Sequence, residues 1–274
     1  MDYLHKKFGS ENKIKSKHKI SVGDYVVDSN KLSIPTVLID KKSQYLFVMF
    51  SAAVNRTHMI LPVFNRISWA NDLPGNLLYL FDPMVMSSDE INLAWYVGNR
   101  DFDAMDAICS LVIKTALELN VPVNNIIAYG SSGGGFAALM LAARIKEATA
   151  IAINPQVQIS KYNIPRVVKA FVSECFDGVD IDVLERINSN RFIVSEAIKY
   201  FNPRIKFLIA QNKLDIHHYN EHFIPFVNEF GLQIDGGFSK DETKATYVYE
   251  DSRGHVGEDL NLGSKLIKIA LQLK

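Results

Sequence analysis

A run of small residues, Gly130-Ser131-Ser132-Gly133-Gly134-Gly135, lies between an apolar segment typical of a buried strand and a segment with helical periodicity. Within this run, Gly130, Ser132 and Gly134 match the pattern G-x-S-x-G, in which a nucleophilic serine projects from a tight strand-to-helix turn. The flanking glycines are required because side chains there would collide with the adjoining strand and helix. The sequence therefore predicts Ser132 as a nucleophile, with the Gly133 amide directed at the oxyanion that forms in acyl transfer.

A serine is a weak nucleophile unless a base takes its proton and an acid orients that base. In the architecture that carries such a serine, the acid and then the base follow it along the chain. We predict His255 as the base, because a glycine-flanked loop holds it between the last apolar strand and the last helix. Asp215 is the predicted acid because it follows the preceding strand, and Asp251 is the alternative. His218 or its neighbour His217 is a further candidate for the substrate pocket.

Loops at the same edge of the predicted sheet supply the remaining candidates. Ala52 or Ala53 is expected to provide the second oxyanion donor, since small residues let a backbone amide approach a substrate closely. Arg66, Trp69 and Trp95 are predicted to bring cationic and aromatic groups to the substrate. Aromatic faces suit sugar rings, although packing in the core is the more common role of tryptophan.

Phosphate and metal binding are the alternatives that residues of these types raise. A glycine-rich turn can cradle phosphate, but neither the Lys-Ser/Thr pair of a P-loop nor the spacing of a dinucleotide motif follows here. The two cysteines, Cys109 and Cys175, are isolated in separate apolar segments and are interpreted as buried free thiols rather than disulfide partners or metal ligands. The sequence therefore predicts no metal site and no bound cofactor.

The elements that must position these residues alternate between strands and helices. Segments 45–50 and 77–81 are continuous apolar runs, as expected of strands buried on both faces of a sheet. The alternation predicts an α/β fold with a mostly parallel sheet and helices on both of its faces. Further strands are predicted at 20–27, 36–39, 124–129, 148–153, 205–210 and 245–249, and helices at 101–120, 134–146, 219–230 and 259–273.

The length of 274 residues and a hydrophobic content of 48% fit one large soluble domain with a substantial core. We predict a single domain over residues 1–274, in which the mostly helical segment 161–200 is an inserted cap. Residues 1–44 are predicted to add short polar strands around a turn at 28–30. The lysine-rich start is interpreted as a solvated edge, with binding of an anionic polymer as the alternative.

Charge and hydropathy exclude several classes of protein. Thirty basic residues balance thirty acidic ones, so no global field attracts nucleic acid. No run of about 18 apolar residues exists that could span a membrane. Residues 1–20 are polar and lack the apolar core of a secretory signal, so we expect a cytoplasmic location. Self-association into a homo-oligomer is left open.

With these motifs the sequence resembles the α/β-hydrolase superfamily and, within it, the capsule and surface-glycan O-acetyltransferases and related capsular biosynthesis proteins of bacteria. The likeness rests on the glycine–serine run at 130–135 and on the turn Asn154-Pro155-Gln156 after a strand. It also rests on the D-x-x-H pair of Asp215 and His218 and on the glycine before His255. The resemblance extends from about residue 45 to the C-terminus.

The resemblance implies an α/β-hydrolase fold and acyl transfer through an acyl-enzyme on Ser132. It further implies acetyl-CoA as the acyl donor and a carbohydrate hydroxyl as the acceptor; no CoA-binding motif in the sequence adds to this. A carboxylesterase or glycan deacetylase with the same residues is the alternative, and a non-catalytic accessory protein of glycan assembly is the second. The polar stretch 235–244 and the first 44 residues depart from the family pattern.

Overall fold

The structure is a computed structural model that describes residues 19–26 and 33–274. The turn predicted at 28–30 and the lysine-rich start before residue 19 lie outside the described residues. In the described part, nine strands form one sheet and two form a separate hairpin. The sheet contains β1 (Lys19–Val26), β2 (Ser33–Asp40), β3 (Leu46–Phe50), β4 (Asn76–Leu80), β7 (Ile126–Ser131), β8 (Thr149–Ile153), β9 (Lys206–Asn212), β10 (Gly237–Phe238) and β11 (Lys244–Tyr249), and the hairpin contains β5 (Gly98–Asn99) and β6 (Phe102–Asp103).

The sheet is parallel at its centre and antiparallel at its edges. Its strand order is β1-β2-β4-β3-β7-β8-β9-β11-β10, and the six strands from β4 to β11 run parallel. At one edge β1 and β2 are antiparallel, and at the other β10 is antiparallel to β11. Strands β3, β4, β7 and β8 are buried at every position, in agreement with their continuous apolar sequences. The predicted mostly parallel α/β sheet is confirmed.

Helices connect the parallel strands and pack against the sheet. Helix α3 is buried from Gly133 to Ala143, because glycine, alanine and larger apolar residues make up that whole stretch. It contacts β7 and β8, and α9 contacts β8 and β9. No helix among the described residues is long and apolar enough to cross a membrane. The helices are α1 (Pro83–Ser87), α2 (Ala104–Glu118), α3 (Gly133–Arg144), α4 (Pro165–Cys175), α5 (Ile181–Ile187), α6 (Ser189–Phe192), α7 (Val194–Phe201), α8 (Ile224–Glu229) and α9 (Leu260–Ala270).

The segment predicted to be a helical insert, 161–200, contains helices α4 to α7. Its apolar side chains belong to the hydrophobic core, since Phe171, Phe192 and Ile198 are fully buried. Arg191 donates from Nη2 to three carbonyl oxygens in and beside the β5–β6 hairpin. Removal of this segment would therefore open the core as well as change the surface.

Two stretches differ in detail from the sequence prediction. The polar stretch 235–244, which departs from the family pattern, contains β10 and pairs with β11 as an edge hairpin. The helix predicted at 219–230 begins as a π-helix, His218–Phe223, and continues as α8. Apolar periodicity does not indicate β10, which is only two residues long, and it does not distinguish a π-helical turn from an α-helical one.

Both cysteines are free thiols, as interpreted from the sequence. Cys175 is buried and Cys109 is half-buried. Burial raises the pKa of each thiol to about 12, so neither is a thiolate at neutral pH.

Candidate active site

Ser132 lies at the turn between β7 and α3, in a backbone conformation that residues other than glycine rarely adopt. Its φ is 55° and its ψ is −125°. A Cβ at Gly130 would lie 2.1 Å from the carbonyl oxygen of Gly134, and a Cβ at Gly134 would lie 2.8 Å from the carbonyl oxygen of Phe50. Glycine is therefore required on both sides of the serine, and the strained turn holds its side chain at the edge of the sheet.

Three predicted residues from distant parts of the chain form a hydrogen-bonded chain. The Oγ of Ser132 lies 2.9 Å from Nε2 of His255, and Nδ1 of His255 lies 2.5 Å from Oδ2 of Asp215. Asp215 follows β9, and His255 lies in the loop between β11 and α9. The alternative acid, Asp251, is bound instead by the guanidinium of Arg253. The geometry thus brings together a hydroxyl, an imidazole and a carboxylate in the order in which a nucleophile, a base and an acid act in acyl transfer.

A second histidine shares the carboxylate. Nδ1 of His218 lies 3.1 Å from Oδ1 of Asp215, while His255 occupies the other oxygen. Burial alone would raise the pKa of Asp215, but the hydrogen bonds from His218 and His255 outweigh it and hold that pKa well below its usual range. Asp215 is therefore a carboxylate at neutral pH and can accept from both imidazoles.

The side chain of Gln156 joins the nucleophile to this second histidine. Its Nε2 lies 2.8 Å from Oγ of Ser132 and 2.8 Å from Nε2 of His218. Its Oε1 accepts a hydrogen bond of 3.1 Å from Nε1 of Trp95. Trp95 was expected to bind substrate, but it is fully buried and its ring packs against Tyr162. It supports the site from the core and offers no exposed face to a sugar.

Asn212, the last residue of β9, forms hydrogen bonds to both the loop of Asp215 and the loop of His255. Its Nδ2 donates to the carbonyl oxygens of Asp251 and Gly254, each at 2.8 Å. Its Oδ1 accepts from the amides of Leu214 and Asp251. Asn154 in turn accepts from the amide of Asn212 at 2.7 Å. The buried side-chain amide of Asn212 thus sets the spacing between Asp215 and His255.

The predicted oxyanion donors surround the same serine. Gly133 is the first residue of α3, so its amide has no partner within the helix. Ala52 and Ala53 line the cavity in front of Ser132. Their loop is held in place by the amide of Ser51, which donates to the hydroxyl of a buried tyrosine at 2.8 Å. The loop of Ala52 and Ala53 therefore lines the same cavity as Ser132, and the amide of Gly133 directly follows that serine.

A cavity of about 440 Å³ opens beside Ser132, and a buried ion pair forms part of its wall. Arg66 donates from Nε and Nη2 to the two carboxylate oxygens of Glu258, at 2.6 and 2.8 Å, and from Nη2 to Oγ of Ser131 at 2.8 Å. Burial lowers the pKa of Arg66, but the charge and hydrogen bonds of Glu258 raise it by more. Because the two charges cancel, this wall carries no net charge.

Trp69 and Tyr162 supply the aromatic part of the cavity wall. Trp69 is half-buried, and the guanidinium of Arg66 lies 5.6 Å from the centroid of its ring. Tyr162 is the residue of segment 161–200 that lines the cavity. His218, nominated for substrate binding, is 1% exposed and bonds to the carboxylate of Asp215 instead. Among the nominated binding groups, Arg66 and Trp69 reach the cavity wall, and Trp95 and His218 support it from behind.

Asp215, His218 and His255 have side-chain types that bind metal ions, and their ligand atoms lie within 4.8 Å of one another. Both carboxylate oxygens are already hydrogen-bonded to an Nδ1 atom. An Nδ1 that donates a proton has no lone pair for a metal. The arrangement fits a proton relay better than a metal site.

Sequence reasoning missed several residues of the site. Glu258, Tyr129 and Ser131 surround Arg66. Glu258 and Tyr129 lie in no recognisable pattern, and the glycine–serine run that contains Ser131 indicates no contact with Arg66. In the sequence, Gln156 belongs to a short turn motif that indicates no role for its side chain. The ion pair of Arg66 with Glu258 could not be predicted, because the two residues are 192 positions apart in the sequence.

The architecture defined by this sheet and by the serine turn is the α/β-hydrolase fold. No protein-family model matches the chain, and no curated protein sequence matches it. Among solved structures, the capsule O-acetyltransferase of Neisseria meningitidis serogroup A is 18% identical with a TM-score of 0.63, over 91% of this chain and 98% of that one. A variant of that protein in complex with CoA is 17% identical with a TM-score of 0.62, over 87% and 95% of the two chains.

Other neighbours have different activities in their names. An S-formylglutathione hydrolase from Agrobacterium tumefaciens is 12% identical with a TM-score of 0.62, over 97% of this chain and 99% of that one. A Glycosylation Associate Protein complex from Streptococcus agalactiae is 14% identical with a TM-score of 0.62, over 91% and 45% of the chains. At such identities the likeness shows the fold, and the chemistry has to be argued from the site.

Proposed function

We propose that this protein is an acyltransferase that moves an acetyl group from acetyl-CoA to a carbohydrate hydroxyl through an acyl-enzyme on Ser132. The observation that carries the proposal is the hydrogen-bonded chain from Ser132 through His255 to Asp215, at a strained turn beside an open cavity. A serine in this setting is activated for attack on a carbonyl, which is the chemistry of ester and thioester groups.

The reaction would proceed in two halves. Ser132 Oγ attacks the thioester carbonyl while His255 Nε2 takes the hydroxyl proton, and the amides of Gly133 and Ala52 or Ala53 stabilise the oxyanion. The thiol leaves with the proton from His255. A sugar hydroxyl then gives its proton to His255 and attacks the acetyl group, and Ser132 regains its proton as it leaves. Asp215 holds the tautomer of His255 throughout.

The cavity wall supports a carbohydrate as acceptor. The ion pair of Arg66 and Glu258 leaves the wall without net charge, and the half-buried ring of Trp69 offers an apolar face. Neutral walls with one aromatic platform suit sugar rings, which are polar at their edges and apolar on their faces. The solved CoA complex of a structural neighbour supports CoA as the carrier of the acyl group.

An esterase or glycan deacetylase with the same three residues is the alternative. The side chain of His255 is 36% exposed, so water can reach the base. Structural neighbours include a hydrolase over nearly the full length of both chains. A non-catalytic accessory role is the second alternative, and the complete hydrogen-bonded chain at Ser132 argues against it.

Release of CoA from acetyl-CoA, measured with and without a panel of bacterial surface polysaccharides, tests the proposal. We expect slow release without acceptor, strong stimulation by an accepting glycan, and the acetyl group on that glycan. Rapid hydrolysis of simple acetyl esters without CoA release and without stimulation by any glycan would favour the esterase. No labelling of the protein by a fluorophosphonate probe, which reacts with activated serines, would favour the accessory role.

A further inference from the structure

Gln156 is not one of the three residues of the proposed relay, yet its side chain contacts Oγ of Ser132, the atom that would react. The amide is fully buried and has three partners: Ser132 Oγ, His218 Nε2 and Trp95 Nε1. These three contacts hold the side-chain amide of Gln156 in one orientation, because rotation of a buried amide would leave several polar atoms unpaired.

The orientation of the amide follows from the chemistry of its partners. The indole N–H of Trp95 can only donate, so the amide group that faces it must be the oxygen Oε1. The nitrogen Nε2 therefore faces both Ser132 and His218 with its two hydrogens. The donor-only indole thus fixes which end of the amide is the oxygen and which is the nitrogen.

The same reasoning fixes the proton on His218. Its Nε2 must accept from Gln156, so its Nδ1 carries the proton and donates to Asp215. Burial lowers the pKa of His218, and the hydrogen bond to Asp215 only partly opposes this. The neutral tautomer is thus the one that both neighbours require.

The hydroxyl of Ser132 is then constrained as well. His255 donates from Nδ1 to Asp215, so its Nε2 is an acceptor and the serine proton points at it. The second contact of Oγ, to Gln156 Nε2, must be one in which the serine oxygen accepts. The serine oxygen thus has an amide donor in addition to its base.

We propose that Gln156 is a catalytic residue whose amide N–H stabilises Ser132 Oγ as the leaving group when the acyl-enzyme breaks down, with Trp95 and His218 as positioning residues that hold that amide. This inference rests on the proposed function, because it needs an acyl group on Ser132. It assigns a chemical step to the turn motif at 154–156, which the relay leaves without a role.

The direction of the effect follows from how well Oγ accepts a hydrogen bond in each state. In the acyl-enzyme Oγ is the bridging oxygen of an ester, which is a poor acceptor. When an acceptor hydroxyl attacks, the bond from Oγ to the acyl carbon breaks and its electron pair moves to Oγ, which takes the proton from His255. A donor at Oγ gains strength along this path, so it lowers the barrier of deacylation more than that of acylation.

Pre-steady-state kinetics with 4-nitrophenyl acetate separate the two steps. In Gln156→Met, which has a similar volume but no N–H donor, we expect the burst of 4-nitrophenol to keep a rate close to that of the wild type. The steady-state rate should fall by about 10²-fold, as for loss of one transition-state donor. Intact-mass measurement should show acetylated protein accumulating in the variant during turnover.

Matched variants separate a catalytic role from a structural one. Gln211 is also fully buried and its amide does not contact Ser132, so Gln211→Met controls for the loss of a buried amide and should keep the wild-type ratio of burst to steady-state rate. Trp95→Phe keeps a ring but releases the amide of Gln156, so it should lower that steady-state rate selectively. This variant also carries the test if Gln156→Met fails to fold.

An equal fall of the burst and steady-state rates in Gln156→Met, or no change in either, overturns the inference while leaving the proposed function intact. A selective loss in Gln211→Met of the same size would also overturn it, because the effect would then be general to buried amides. Absence of any acyl group on Ser132 in the wild-type protein overturns both the inference and the proposed function.

Discussion

The imidazole ring of His218 lies parallel to that of His255, with ring centroids 3.9 Å apart and an interplanar angle of 14°. The two rings bind opposite oxygens of Asp215, so one buried carboxylate orients both. A positive charge on His255 opposes one on His218, where burial already disfavours charge. In the proposed reaction only His255, which reaches Ser132, has to carry the proton, and the stacked His218 stays neutral.

The nucleophile is tested by two adjacent serines. Ser132→Ala should lower the turnover of acetyl-CoA by ~10⁴-fold or more, because no other described group replaces the attacking oxygen. Ser131→Ala removes one of the two acceptors of Arg66 Nη2, a hydrogen bond of about 1 kcal/mol, and should lower turnover roughly fivefold. Fluorophosphonate labelling and thermal unfolding of both variants distinguish chemistry from folding. Retention of labelling in Ser132→Ala would contradict the assignment.

The acid is tested by two aspartates near His255. Asp215→Asn should lower kcat by about 10⁴-fold, because the amide favours the wrong tautomer of His255. Asp251→Asn should keep most activity, since that carboxylate binds the exposed Arg253. Steady-state kinetics at neutral pH measure both effects, and a reversed result would move the acid to Asp251.

The loop that carries the base is tested at Asn212. Asn212→Ala removes two bonds to the carbonyl oxygens of Asp251 and Gly254, so His255 loses its fixed distance from Ser132. We expect kcat to fall by about 10²-fold, a typical cost of displacing a catalytic group by about 1 Å, with little change in KM. Asn125→Ala removes one solvent-exposed hydrogen bond from a half-buried asparagine to a carbonyl and serves as the control. Equal kcat values for the two variants would contradict this role.

The central strands and the three relay residues could be predicted because their signals are local. Strands β3, β4, β7 and β8 are continuous apolar runs, and apolar burial decides their structure wherever they lie. Ser132 lies within a glycine–serine run, Asp215 lies three residues after the end of β9, and His255 directly follows a glycine. Such patterns are visible within five or six residues of sequence.

The supporting residues could not be predicted because their partners are distant in sequence. The sequence predicts a cationic group for the substrate at Arg66, but the charge of Arg66 is neutralised by Glu258. The two residues are 192 positions apart in the sequence. Trp95 looked like a sugar platform, and only the packing of the core around it shows that its face is covered. The proposed role of Gln156 depends on its contact with His218, which lies 62 residues further along the chain. Local sequence does not encode which side chains the fold brings together.

His222 makes folding sensitive to acid. Burial lowers its pKa to about 3 from a usual value of 6.5, and the neighbouring His218 and His217 oppose its charge further. As the pH falls from about 6.5 towards 3, the unfolded chain takes up a proton that the folded chain does not bind. The free energy of unfolding should therefore fall by up to ~1.4 kcal/mol per pH unit from this residue.

The variant His222→Gln removes this titration, and Gln can still accept from the amide of Val157 as Nδ1 of His222 does. Urea unfolding between pH 6.5 and pH 4 should show a shallower loss of stability in the variant than in the wild type. His58→Gln, in an exposed loop, should leave the slope unchanged. An unaltered slope in His222→Gln would show that other groups cause the acid sensitivity.

Protection of the acyl-enzyme from water is tested at Tyr162. A transferase must hold the ester on Ser132 until a sugar arrives, although water is present at about 55 M, so its cavity has to be shielded. Shortening the helical segment 161–200 is a poor test, because its buried side chains belong to the core. Tyr162 is the residue of that segment on the cavity wall, where its ring packs edge-on against Trp95.

In Tyr162→Ser we expect CoA release without acceptor to rise and acetylation of the glycan to fall. The ratio of transfer to hydrolysis should drop about two- to tenfold, since one aromatic contact contributes about 0.5–1.5 kcal/mol. Tyr200→Ser, on the same segment with an exposed ring, should leave the ratio unchanged. Both products are measured in one reaction with acetyl-CoA and an accepting glycan. An unchanged ratio in Tyr162→Ser, with the protein folded, would mean that shielding of the ester does not depend on this wall.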